Sequence, residues 1–262
     1  MSQRVGRRLV FTNRKGGCGK TTTSVNIAAA LAHLGHRVLV IDTDPQAHAT
    51  MSLGVAQSRV THDLSAVLEG SIDAAAAVQP SYVPRLHVVP SSRRLVDFER
   101  RNADNSDAVY WLRRHLGALM DSYEFTVIDT PPTTQVLTLS ALVAAREAYI
   151  PMQAHFLAME GMIEIIELVE EVQRSRNPDL AVRGIIPTFF DSGAVFSRQI
   201  LQELRSRLGE DLLLKAIRLN HALAEAPGAG HTIFQHDLRS DGALDYYRVA
   251  LQIRGIKHPL QS

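Results

Sequence analysis

The chain has a single cysteine, Cys18, in 262 residues. An intrachain disulfide and a multi-cysteine metal site are therefore both excluded. Aromatic residues make up only 6%, with one tryptophan. No apolar run approaches the roughly 20 residues that a membrane-spanning helix needs. The opening Met1–Phe11 stretch lacks the apolar core and small-residue cleavage site of a secretory signal, so an intracellular, cytoplasmic protein is the expectation. Lysine is scarce as well. Of 28 basic residues only Lys15, Lys20, Lys215 and Lys257 are lysines, and two of those four flank one glycine-rich stretch. Against 27 acidic residues the net charge is +1, which does not mark a strongly basic nucleic-acid protein.

What is present is ordinary globular composition, 45% hydrophobic and 21% charged. Short continuous apolar runs at Arg8–Asn13, Val38–Ile41, Leu86–Val89, Phe125–Asp129, Ala148–Ile150 and Val182–Ile186 read as strands buried on both faces. Leu212–Ile217 is expected to be one more. Helical spacing predicts helices over Thr21–Leu34, Asp107–Met120, Gln135–Ala145, Leu157–Arg174, Phe196–Leu208 and Asp241–Ile253. Val55–Tyr82 reads as short helical pieces between turns. Strands alternating with helices predict an α/β fold with a doubly wound, mostly parallel sheet, in one domain spanning residues 1–262.

Between the first strand and first helix lies Lys15-Gly16-Gly17-Cys18-Gly19-Lys20-Thr21-Thr22. Glycines let consecutive backbone N–H groups curl around phosphate oxygens, and the helix N-terminus behind them adds positive potential. In a phosphate loop of this kind Lys20 reaches the β- and γ-phosphates and the Thr21 hydroxyl holds Mg2+. Arg14 stands where such a loop usually begins with glycine. Lys15 cannot easily fold back onto phosphates that Lys20 already holds, so it is free to point toward a nucleotide in a second subunit. Cys18 reads as a small space-filler within the loop.

This loop resembles the deviant Walker A motif of the ParA/MinD group of P-loop ATPases. Asp42-Thr43-Asp44-Pro45-Gln46-Ala47 resembles their second motif, and Tyr123–Pro132, containing Asp129, their Walker B strand. Leu139–Leu142, Ile150–Gln153, Leu157–Gly161 and Leu223–Pro227 are similar to the ParA, Soj-like branch, and the similarity runs from about residue 8 to about residue 251. The resemblance implies an ATPase using ATP and Mg2+, slow without its partner. It implies Lys15, Lys20 and Asp44 as catalytic groups, Asp44 orienting the attacking water; a helix N-cap ahead of Pro45 is the other reading of Asp44. Thr21, Asp42 and Asp129 are the implied metal-side residues, and Phe189 and Asn220 the implied adenine contacts. Also implied are an ATP-dependent homodimer in which Lys15 touches the neighbour's nucleotide, non-specific DNA binding at the nucleoid, and a ParB-like activating partner. Such a protein segregates chromosome or plasmid DNA.

The chain departs from that pattern in places. Ser192-Gly193 and Ala222 stand where the group often carries basic residues, so DNA contact is expected to fall to Arg198, Arg218, Arg239 and Arg248, with Arg205 and Arg254 nearby. Ala47-His48 replaces a more usual Gly-Asn. Glu160, Glu164, Glu167 and Glu171 share one face of a helix, as a solvated face or a dock for a basic peptide. A ParA-like ATPase positioning a non-DNA cargo is the alternative. A MinD-like membrane switch would need a basic amphipathic tail, and the tail after Asp245 is interrupted by Gly255 and Pro259. Redox relatives that bridge subunits through paired cysteines are incompatible with a lone Cys18.

Overall fold

A computed structural model describes residues 6–155, 157–209 and 211–256. It opens with β1 (Arg7–Phe11), α1 (Lys20–His33) and β2 (Val38–Asp42). Short helices α2 (His48–Ser52) and α3 (Leu64–Leu68) lead to β3 (Gln79–Pro80) and β4 (Leu86–Val89). Then follow α4 (Arg94–Arg101), α5 (Trp111–Asp121), β5 (Phe125–Asp129), α6 (Val136–Ala144) and β6 (Glu147–Gln153). The chain continues through α7 (Leu157–Ser175), β7 (Ala181–Thr188), α8 (Val195–Leu208), α9 (His221–Glu225), α10 (Ile233–His236) and α11 (Asp241–Gly255).

The seven strands form one sheet in the order β3-β4-β2-β5-β1-β6-β7, parallel except for the β3 edge. The apolar runs explain it. Leu9 and Phe11 point to one face with Val38, Val40 and Val127, while Val10, Leu39, Ile41 and Ile128 point to the other. Both faces must be covered, and helices do so. Helix α1 is almost wholly buried and packs against α11, whose Tyr246, Val249, Ala250 and Ile253 complete that layer. The expected doubly wound α/β sheet is what forms.

Two local expectations are corrected, and one helix has no sequence signal. Leu212–Ile217 is not a strand. Ile185 and Leu213 form an isolated bridge, and the next donor along β7 is Pro187, which has no N–H. The pairing slips, so the Pro187 carbonyl accepts from Ile217 instead. The helix expected from Asp107 begins as a tight turn at Ala108–Tyr110, with the α-helix starting at Trp111. Helix α4 was not signalled because only Leu95 and Phe98 of its eight residues are buried, too few to show a period.

A buried ionic cluster closes the amino-terminal end of the sheet. Arg7 on β1 donates to both Glu147 oxygens at 2.7 and 2.5 Å, and to the Ile253 carbonyl of α11 at 2.7 Å. The Tyr149 hydroxyl donates to Glu147 at 2.9 Å. Truncating Glu147 would strand a buried guanidinium. Glu147→Ala should therefore lose about 3–5 kcal/mol in urea unfolding, whereas truncating the exposed pair Arg207–Glu203 should change stability by well under about 1 kcal/mol.

Candidate functional site: a phosphate loop facing two buried aspartates

The parallel register brings the site together. Phe11 is level with Asp129, and Asp42 is level with Asp129, so β1, β5 and β2 end in one row. Strand β1 lies where the connections part, with β5 and β2 on one side and β6 on the other, which is where ligands sit in open parallel sheets.

From β1 the chain enters the glycine-rich loop. Asn13 fixes the entrance: its amide donates to the Pro151 carbonyl at 2.8 Å and its oxygen accepts from the Lys15 N–H at 3.0 Å. Thr188 donates to the Cys18 carbonyl at 2.9 Å and Gln153 to the Gly17 carbonyl at 2.9 Å. Gly17 and Gly19 have φ of 72° and 85°, a left-handed backbone that favours glycine. Gly19 opens α1 with no side chain capping the helix, so the first N–H groups of α1 keep their donors for an anion. Lys20 is buried, its ammonium 2.8 Å from the Lys15 carbonyl and beside the Cys18 sulfur. Burial raises the Cys18 thiol above its ordinary pKa against the pull of Lys20, consistent with a space-filling role.

Across the loop, Asp129 is fully buried. Its Oδ1 accepts from Ser24 at 2.7 Å, and its Oδ2 has no hydrogen-bond partner. Burial raises its pKa, opposed by Ser24 and Thr21 and assisted by the charge of Asp44. A buried carboxylate oxygen left open, beside the Thr21 hydroxyl and an uncapped helix end, fits a magnesium ion or a water bound to one. Asp42 differs. Its Oδ1 accepts from the Asp44 N–H at 3.1 Å, and its Oδ2 from the Thr50 N–H and hydroxyl at 2.8 and 2.7 Å. Asp42 is committed to holding the Asp44–Thr50 turn. Its pKa is raised by burial and by the neighbouring Asp129.

Asp44 does not cap α2, which begins at His48 after Ala47. It accepts from the Gln46 N–H at 2.9 Å, and its carbonyl accepts from Ser91 at 2.5 Å. This turn presents the carboxylate from β2 while anchoring it from the segment after β4. Ala47 takes φ of 56°, a left-handed conformation in a non-glycine residue.

Phe189 lies near the phosphate loop, since a side chain at Gly19 would meet its ring edge at 3.5 Å. Phe190 bridges to Arg218, bringing the 188–190 and 217–220 segments side by side. Asn220, on the second of these, has a buried side-chain oxygen without a partner. The four arginines separate. Arg218 is held by Asp245 at 2.8 Å and Asp241 at 3.0 Å. Arg198 bonds the Ser192 carbonyl at 2.6 Å, and both Arg239 and Arg248 are exposed. Arg198, Arg218 and Arg248 line one cavity of about 710 Å³ with Arg205 and Lys215. Arg239 does not line it. Sequence reasoning missed Lys215, Ser24 and Thr50. Ser24 follows Lys20 by one helical turn, which was the available signal.

An AAA domain family matches residues 6–182. The chain is 39% identical to the chromosome-partitioning ATPase Soj of Thermus thermophilus, over 94% of this chain and 95% of that one. It is 33% identical to the chromosome partitioning protein ParA of Caulobacter vibrioides, over 97% and 96%. The chain belongs to the ParA/Soj family. Its fold matches the structure of cobyrinic acid a,c-diamide synthase from Mycobacterium smegmatis, solved with an ATP analogue and magnesium, with a TM-score of 0.81 at 32% identity over 94% and 93% of the two chains. The α/β sheet of this ParA/Soj relative is a P-loop NTPase fold, and the second-motif and Walker B aspartates expected from sequence stand at its strand ends.

Two measurements test the site in the absence of ligand. The raised pKa of Asp129 means that its protonated form favours folding: that contribution is complete below about pH 4 and is lost as pH rises toward neutrality through the folded-state value. Asp129→Asn should flatten this decline in urea titrations between acid and neutral pH. Ala47→Gly should raise stability by about 0.5–1 kcal/mol by relieving the left-handed alanine, read as an increased denaturation midpoint.

Proposed function

We propose that this chain, as one domain over residues 1–262, is a ParA-like partition ATPase that hydrolyses ATP with Mg2+ and cycles between monomer and ATP-bound homodimer. The carrying observation is the open Oδ2 of buried Asp129, one helix turn's reach from an uncapped, glycine-flanked helix end bearing Lys20 and Thr21. Neutral phosphate chemistry gives that arrangement little purpose; a metal–nucleotide anion completes it.

Backbone N–H groups of Gly16–Thr22 hold the phosphates, and Lys20 leaves the Lys15 carbonyl to neutralise their charge. Thr21 and Asp129 hold Mg2+ or its waters, with Asp42 steadying the turn beside them. Bound Mg2+ supplies charge neutralisation at the phosphate oxygens. Asp44 orients a water in line with the γ-phosphorus. The water oxygen bonds to phosphorus, the bond to the bridging oxygen breaks, ADP leaves with the electron pair, and the water's proton passes to solvent by way of Asp44. Phe189 and Asn220 flank the base. Lys15 crosses to the nucleotide of the partner copy, making dimerisation and ATP occupancy one event.

In the dimer, Arg198, Arg239 and Arg248, with Arg205 and Lys215 around the cavity, offer phosphate contacts for non-specific DNA. A ParB-like partner accelerates hydrolysis and releases the protein, which cycles on the nucleoid in the cytoplasm. Arg218 is a weaker candidate because two aspartates already neutralise it. That neutralisation, together with the uncharged Gly193 and Ala222, favours a second reading in which the cargo is not DNA. A membrane switch is disfavoured because the apolar stripe of α11 packs on α1. The end of the proposed tail, residues 257–262, lies outside the described residues.

Asp44→Ala should lower ATP turnover by about 100-fold or more while retaining nucleotide binding, and Lys20→Ala should abolish binding, both measured with labelled ATP. With ATP, the logarithm of DNA affinity should fall linearly with log salt, and Arg248→Ala should reduce that slope by about 1 for each contact removed. A flat salt response would assign the ATPase to a cargo other than DNA.

A further inference from the structure

Lys15 has a task in the single protomer that the proposed dimer role does not explain. Its ammonium lies 2.9 Å from Nε2 of His155, on the turn between β6 and α7. The same Nε2 lies 2.8 Å from Oε1 of Gln153, whose amide nitrogen donates to the Gly17 carbonyl. An ammonium only donates and a carbonyl-type oxygen only accepts. If Nε2 carries its lone pair, it accepts from Lys15 and leaves Gln153 unsatisfied. If Nε2 carries a proton, it donates to Gln153 and repels Lys15. Turning the Gln153 amide over moves the mismatch to the Gly17 carbonyl. The junction therefore satisfies one neighbour of the ring nitrogen at a time.

We propose that His155 is a positioning residue for Lys15: its unprotonated Nε2 holds the lysine over its own phosphate loop in the unpartnered protomer, and turning that nitrogen to Gln153 releases the lysine to a second copy.

This rests on the reading that Lys15 serves the partner's nucleotide. The surroundings agree with a hold that opens on protonation. Burial and then the charge of Lys15 lower the basicity of the ring. Lys15 on the phosphate loop is the charged group acting on it among the described residues, and Glu164 of α7 is occupied by Arg14 at 2.7 Å. No carboxylate in the described set stabilises a charged ring, so His155 stays neutral above neutral pH, which leaves Nε2 able to accept from Lys15. Holding Lys15 in place lowers the fraction of protomers ready to dimerise, and apparent affinity falls by that fraction.

The test uses the full chain labelled with 13C at lysine Cε. With four lysines, the Lys15 resonance is assignable from a Lys15→Arg spectrum. Without nucleotide at pH 8, the Lys15 resonance should shift in His155→Ala and stay near its wild-type position in His155→Gln, which keeps an acceptor. On lowering pH it should follow the His155 titration in wild type and not in His155→Gln. With a non-hydrolysable ATP analogue and Mg2+, sedimentation should show His155→Ala dimerising at about 3–10-fold lower protein concentration at pH 8. His155→Gln should match wild type there. Acidification should tighten the wild-type dimer relative to His155→Gln at each pH, which cancels effects of other titrating groups. A Lys15 resonance unmoved by His155→Ala, or a dimer midpoint unchanged by it, overturns the proposal. The underlying reading fails separately, if Lys15→Ala dimerises like wild type although the resonance shift is present.

Discussion

The parallel register that sets Phe11, Asp42 and Asp129 in one row is the constraint on which the rest of the site hangs. Because β1 is flanked by β5 and β6, the loop leaving it must pass over the carboxyl ends of its neighbours before α1 can descend. That path delivers Lys20 and Thr21 opposite Asp129, with Asn13, Thr188 and Gln153 pinning the loop along the way. It also explains why α1 is so thoroughly buried. A helix that starts on a phosphate loop and packs on both the sheet and α11 cannot shift without moving the loop.

The two buried aspartates divide the labour unequally. Both sit where desolvation opposes ionisation. Asp42 meets that cost with three donors from its own chain, Asp44 and Thr50. Asp129 has the Ser24 hydroxyl on one oxygen and nothing on the other. The unmet half is a standing preference for a positive ligand, on the strand end that lies beside the Lys20 and Thr21 side chains. The two loop lysines are matched internally as well: Lys20 bonds the Lys15 carbonyl, and Lys15 bonds His155. Each lysine therefore has an internal partner within the folded chain.

Most of the fold was legible from sequence because its strands are apolar on both faces, which leaves continuous runs such as Val38–Ile41. The loop was legible as a candidate because its glycine and lysine spacing suits phosphate, and the three aspartates were legible through the resemblance of their motifs. What escaped lacked a periodic signal. Helix α4 buries two residues, and β3 is a two-residue edge around Pro80. Leu212–Ile217 looked like a strand because its apolar content is real, but Pro187 withholds the donor that would continue the ladder. The helix-cap reading of Asp44 yielded to a turn closed by Gln46 and Ser91, the latter 47 residues away.

Local motifs were enough to point to a phosphate loop and, by resemblance, to the strand-end aspartates and the ParA/Soj family, because each motif is read from neighbours within a few residues. Tertiary structure alone decided how the charges are spent. Arg218 is neutralised by Asp241 and Asp245 on α11, so a residue that reads as a free cation is an internal tie. Arg198, Arg205, Lys215 and Arg248 come from three separate segments yet surround one cavity. Lys15 is matched to His155, 140 residues away. Charge and hydrogen-bond partners act through space over a few ångströms, and only the folded chain says which residues are that close.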